Sequence, residues 1–159
     1  MALVVTALAS PDRRGGALPF AVVGSAAVIA GGLVAAFTAS VPSEHGAWAA
    51  AYLVLVVGVA QLVLGVGQAT LAPGVVPINR IVLELAGWNA GSAAVLGGTL
   101  LGAVWLVDVG GVLLVLALVM LALGVRGADR RWRGRLLAYR CLAGVLLVSV
   151  PIGLVLARV

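Results

Sequence analysis

Five long apolar runs leave this chain few choices of fold. A basic loop, Arg126-Gly-Ala-Asp-Arg-Arg-Trp-Arg133, separates the fourth run from the fifth. A helix that crosses a bilayer needs about 20 mostly apolar residues, because lipid offers its backbone no hydrogen bonds. The runs fall at about 17–41, 44–71, 80–107, 110–125 and 136–157. Only 9% of the residues are charged, against roughly 25% in soluble domains. Mean hydropathy is +1.25. A water-soluble core does not fit these values. The expected fold is all-α, a single integral membrane bundle of five transmembrane helices behind a short cytoplasmic N-terminal tail, residues 1–16.

The formal charge of +5 and the pI of about 11.1 raise a nucleic-acid reading, since basic chains pair with phosphate. It fails because the arginines form no stripe of their own and sit at the ends of apolar runs. Positive charge beside spans marks the cytoplasmic side. Alternating the five runs across a membrane puts Arg13, Arg14, Arg80, Arg126, Arg130, Arg131, Arg133, Arg135 and Arg140 on one side. Only Arg158 falls on the other. The expected threading is therefore N-terminus in, C-terminus out. The chain has no lysine and is rich in Ala, Gly, Val, Leu and Arg, which reads as codon bias of a GC-rich bacterial genome. The expected location is the bacterial cytoplasmic (inner) membrane. The apolar stretch Met1 to Ser10 resembles a signal peptide in its Ala-Leu-Ala-Ser ending, but its charges, Arg13 and Arg14, follow it instead of preceding it. An uncleaved tail on the inner membrane surface is expected.

Local signals place the helix ends. Pro19 suits a first turn. Pro42 stops the first helix, and Ser43 is an expected N-cap for the second. Ala72-Pro-Gly-Val-Val-Pro77 is a turn. Asn79 is the expected cap of the third helix and Asp108, at Asp108-Val-Gly-Gly, that of the fourth. Pro151 predicts a kink in the fifth. On the second helix Gly58, Gln61, Gly65 and Gln68 share one side, while His45, Trp48 and Tyr52 fall nearly opposite. Gly87 and Gly91 form a small-residue pair that lets helices approach closely in lipid.

Few polar groups are left to carry chemistry. An ionisable side chain at a helix centre costs about 2.5–3.5 kcal/mol on insertion scales, so each one needs a reason. Glu84 is expected to pair with Arg80, four residues away, or with Arg140 on the fifth helix. The functional alternative is a proton or cation site. His45 is the only histidine. With Trp48 and Tyr52 it fits an aromatic belt at the outer interface. Its alternatives are a metal site with Glu44 and Asp108, or a haem ligand partnered by Met120 or by a second subunit. No metal spacing is matched, and no cofactor is expected. Gln61, Gln68, Asn89 and Ser92 are expected to hydrogen-bond between helices or to line a polar path. Arg126, Arg130, Arg131, Arg133 and Arg135 could hold anionic lipid headgroups. No Ser-His-Asp set, carboxylate pair, cysteine pair or phosphate-binding loop is present, so no catalytic residue is assigned.

Trp88-Asn-Ala-Gly-Ser-Ala-Ala-Val-Leu-Gly-Gly-Thr-Leu100, Val107-Asp-Val-Gly-Gly-Val-Leu-Leu114 and Gly124-Val-Arg-Gly127 resemble small multi-pass membrane proteins of actinobacteria, over roughly residues 44–127. The resemblance implies a helical membrane fold and lends no activity and no site residues. The expected function is a non-enzymatic accessory or interaction subunit that packs, through glycine-rich helix faces, against itself or a larger membrane complex. A small proton- or cation-coupled carrier using Glu84 is the first alternative, and a haem- or metal-holding protein using His45 the second.

Overall fold

A computed structural model describes residues 11–41 and 43–156. It is all-helical, with no strand among the described residues. Five helices follow one another: α1, Pro11–Ser40; α2, Glu44–Leu71; α3, Ile78–Leu101; α4, Val104–Gly124; and α5, Arg133–Leu156. A 3₁₀ turn at Arg130–Trp132 leads into α5. Gly15–Ser40 of α1, all of α2 and all of α4 are long and apolar enough to cross a membrane. Polar residues dilute the other two helices: Arg80, Glu84 and Asn89 on α3, and Arg133, Arg135 and Arg140 on α5.

Several helix ends differ from the sequence expectation. The α1 helix starts at Pro11, not near residue 17, so Arg13 and Arg14 lie within it and Pro19 falls beyond its first turn. Residues 1–10 of the expected tail, Pro42, and residues 157–159, with Arg158, lie outside the described residues. Ser43 does cap α2, its hydroxyl accepting from the Gly46 amide at 3.3 Å. Asn79 is not the cap of α3; Pro77 is, and the Asn79 side chain accepts from the next amide, Arg80, at 2.9 Å. Along α5 the helix continues through position 151.

The largest correction is the turn between α3 and α4. The expected turn at Asp108 does not form, and the chain reverses five to six residues earlier, at Gly102 and Ala103. Gly102 takes the left-handed conformation, φ 66°. The amide of Ala103 closes back on the Gly98 carbonyl at 2.8 Å. Glycine reaches that backbone region without a Cβ clash. Asp108 is then an interior residue of α4, whose N-cap, Ala103, has no side-chain cap. The early turn lets two helices meet at their glycines. A Cβ on Gly91 would stand 2.9 Å from the Gly110 carbonyl oxygen, and one on Gly98 would stand 2.8 Å from the Val107 amide nitrogen. Gly102→Ala is expected to cost about 1 kcal/mol through its positive φ alone, since no atom lies within 4 Å of the added carbon. Unfolding in mixed micelles measures it.

The helices run up and down. Gly16 at the start of α1 faces Ala69, near the end of α2, and Ile81, near the start of α3. Gly127, just after α4, faces Pro73 in the α2–α3 turn. One end of the bundle therefore gathers the start of α1, the end of α2, the start of α3, the end of α4 and the start of α5. The core between the helices holds Phe20, Leu64, Trp88, Leu114, Leu118, Leu121, Val125 and Tyr139. Ile29, Leu33 and Phe37 of α1 stay exposed, as the outer face of a helix in lipid does.

An eight-residue π-helical segment, Leu53–Ala60, interrupts α2. In an α-helix Tyr52 and Gln61, nine positions apart at about 100° each, would point to opposite sides. Such a segment winds less per residue than an α-helix. Tyr52, at its N-terminal edge, neighbours Ser92 of α3, the helix whose Glu84 meets Gln68. The separation of Tyr52 from the α3 side, expected from an unbroken α-helix, does not hold.

Candidate functional site

The fully buried carboxylate of Glu84 is the centre of the site. Its Oε1 accepts two hydrogen bonds. One comes from Arg80 Nε at 2.9 Å, the i,i+4 pair the sequence suggested. The other comes from Gln68 Nε2 of α2, also at 2.9 Å. Arg80 Nη2 donates in turn to the Met120 carbonyl of α4. At the next residue of α4, Tyr139 of α5 donates its hydroxyl to the Leu121 carbonyl at 3.1 Å. Leu121 is one of the last residues of α4, whose final carbonyls lack intrahelical partners, and a cation near that end is favoured by the helix dipole. Four helices, α2 to α5, are thus tied together at one level. Gln68 fills the space beside Gly124, where a Cβ would collide with its amide.

Among the described residues the second carboxylate oxygen, Glu84 Oε2, has no hydrogen-bond partner. Neither do Trp88 Nε1, Ser92 Oγ, both polar atoms of Gln61, and Tyr52 Oη. These atoms share one interface. Glu84, Trp88 and Ser92 stand at i, i+4 and i+8 on α3, one above the other. Gln61, Leu64 and Gln68 form the facing stripe of α2, and Leu64 and Trp88 pack in the same core. Tyr52 neighbours Ser92, although neither hydroxyl completes a hydrogen bond. Gln61 and Glu84 are 0% exposed, Ser92 1% and Trp88 2%. Leaving a buried polar atom without a partner costs about 1–3 kcal/mol.

Other expected site residues fall elsewhere. Arg140 is exposed and forms no ion pair with Glu84; among the described residues Arg80 is the partner. Asn89 does not bridge helices, because its side-chain amide donates to the Leu85 carbonyl of its own helix at 2.8 Å. His45 and Glu44 are exposed at the far end of α2, where Trp48 and Tyr52 stack with ring centroids 5.4 Å apart. No group of three His, Cys, Asp or Glu side chains suited to a metal ion is found among the described residues, so His45, Glu44 and Asp108 are not gathered into one site. Met120 lies level with Arg80 at the opposite end from His45, which rules out that pair as axial ligands within one chain. Between α1 and α2, beside Glu44, a groove of about 780 Å³ opens, lined by Ala35, Thr38, Ala47, Ala51 and Leu55 among others. It lies away from the Glu84 row.

The basic loop sits at the Arg80 end. Arg126, Arg130, Arg131, Arg133 and Arg135 are all exposed. Arg131 pairs with Asp129 at 3.2 Å. The guanidinium groups of Arg131 and Arg135 lie 5.4 and 4.3 Å from the centre of the Trp132 ring. Among the described residues Arg126, Arg130 and Arg133 have no ion-pair partner.

Sequence reasoning offered Gln61, Gln68, Asn89 and Ser92 as bridges between helices or the lining of a polar path, gave Glu84 as an ion pair or a proton site, put Tyr52 in the outer belt and left Trp88 without a role. The i+4 spacing from Glu84 to Trp88 was a usable signal. Nothing local marked the π-helical segment that begins beside Tyr52. Compared with known protein families, with curated proteins and with solved structures, the chain matches none.

Proposed function

We propose that this chain is a five-span protein of the bacterial inner membrane, N-terminus in and C-terminus out, that acts as a small proton- or cation-coupled carrier through Glu84. Three helices meet the length and hydropathy of a span. The helices α3 and α5, with 24 residues each, reach about 36 Å, enough for a hydrocarbon core of about 30 Å. Arg80 and the five arginines of the basic loop gather at one end of the bundle, which supports a cytoplasmic assignment for that end. There the unpaired arginines meet anionic lipid headgroups.

One observation carries the functional reading. Glu84 is entirely buried among apolar helices, yet only one of its two oxygens is satisfied. A purely structural ion pair in lipid gains most when every lone pair is met. An ionisable group held with one face open is suited to taking up and releasing a charge. An accessory subunit docking through glycine faces has less support, because Gly24 faces Gly58, Gly65 faces Phe20 and Gly91 faces Gly110 within this chain.

Ion flux in proteoliposomes tests the proposal. Glu84→Gln keeps the shape and both hydrogen-bond positions at Oε1 but cannot exchange a charge. It should reduce proton or cation flux to the level of empty vesicles. Flux equal to wild type would remove Glu84 as the carrier group.

A further inference from the structure

The partnerless polar atoms say more than that Glu84 is open. We propose that Glu84, Trp88, Gln61, Ser92 and Tyr52 flank a file of water molecules that conducts protons to the Glu84 carboxylate. The proton, and not a metal cation, is then the species the site takes. This rests on the carrier reading above and names its substrate.

The mixture of donors and acceptors is the first support. Trp88 Nε1 only donates, Glu84 Oε2 as a carboxylate only accepts, and Gln61, Ser92 and Tyr52 do both. A buried water makes about three hydrogen bonds of both kinds, so such a row satisfies water at each step. A metal cation wants oxygen acceptors alone, and the Trp88 N–H would face it. The second support is geometry. From Glu84 to Ser92 the α3 positions cover about 12 Å along the membrane normal, and Arg80 adds about 6 Å at the other side. Arg80 is 32% exposed, so that end reaches the basic surface. At the opposite end Tyr52, half-buried, continues to the stacked Trp48, which is 37% exposed. Both ends of the row therefore approach solvent. Tyr52 joins the row at Ser92, which it neighbours.

The transfer step is simple. A hydronium in the file gives a proton to Glu84 Oε2. One O–H bond breaks, one forms, and the hydronium becomes water. No electrons move. Arg80 keeps its charge, loosens from Oε1 toward its exposed side, and returns once the acid has released its proton to water at the Arg80 end.

The test uses the full-length protein in phosphatidylethanolamine–phosphatidylglycerol vesicles that enclose a pH-sensitive dye. A potassium gradient with valinomycin drives the flux. Wild type should acidify or alkalinise the lumen well above empty vesicles, with no sodium flux. Gln61→Leu should slow the proton flux about 100-fold, the scale of a lost proton-transfer group. Tyr52→Phe and Ser92→Ala remove one oxygen each, leave the carbon packing in place and still fold. Each should slow it about tenfold or more. Three results would overturn the proposal. If Glu84→Gln stops proton flux but these three variants run at the wild-type rate, the water file falls while the Glu84 carrier stands. If wild type passes sodium and not protons, the proton assignment falls and the carrier stands. If wild type passes no ion above empty vesicles, both fall.

Discussion

Replacing Arg80 with leucine should destabilise the bundle by about 3 kcal/mol, and replacing Arg80 and Glu84 together with leucines should recover most of that loss. The single change leaves a carboxylate at 0% exposure with only the Gln68 amide for company. Removing one partner of a buried pair typically costs about 3–5 kcal/mol because the other charge stays in a medium of low dielectric. The lower value applies here, since the Arg80 side chain is 32% exposed and solvent reaches its rim. The change also cuts the link from Arg80 to the Met120 carbonyl, which joins α3 to α4. The double change removes both charges and fills the space with carbon. Such replacements are often neutral or stabilising. Reversible unfolding in mixed detergent micelles reads both variants against wild type. The double variant should then be a stable protein that carries nothing, a result that separates the stability role of the pair from its transport role. If Arg80→Leu is as stable as wild type, the ion pair does not organise the core.

The number and order of the helices could be read from the chain, because the apolar runs and their arginine-rich ends are long signals that no local detail reverses. The Arg80–Glu84 pair was equally plain, since residues four apart meet on any helix. Helix ends fared worse. Asp108-Val-Gly-Gly looks like a turn by its residue types, while the turn forms at Gly102, a lone glycine in an apolar run. The reason is tertiary. The close contacts of Gly91 with Gly110 and of Gly98 with Val107 require the reversal to come before Val107, and they use Gly110 for approach instead of for turning. Arg140 sits at a depth that would suit Glu84, but depth does not fix which way a helix faces, and α5 turns Arg140 outward. The side chain of Asn89 had a nearer acceptor one turn back on its own helix, which sequence spacing cannot weigh against a partner on another helix. The π-helical segment had no local signature. Leu53–Ala60 is a run of Leu, Val, Gly and Ala that would suit an α-helix equally well. Tyr52, at its N-terminal edge, is the member of the row that helical spacing placed on the wrong side.

Gly110→Ala should cost about 1–3 kcal/mol, toward the upper value, while Gly144→Ala should cost nothing. A Cβ on Gly110 would stand 2.6 Å from the Gly91 carbonyl oxygen and 2.8 Å from the Val95 amide nitrogen. Both are backbone atoms of α3, so no side chain can turn aside, and the two helices must part. A Cβ on Gly144 of α5 meets no atom within 4 Å, and alanine favours a helix interior over glycine by about 0.5–1 kcal/mol. The pair of substitutions thus adds the same methyl group twice and isolates the close approach. Parting α3 from α4 also draws Arg80 off the Met120 carbonyl and shifts Glu84, Trp88 and Ser92 against α2, since all three share the one rigid helix. Proton flux through Gly110→Ala should therefore fall together with stability, whereas Gly144→Ala keeps both. Equal stability of the two variants in mixed micelles would mean that α3 and α4 do not meet at these glycines, and the wall on which the Glu84 row stands would be lost.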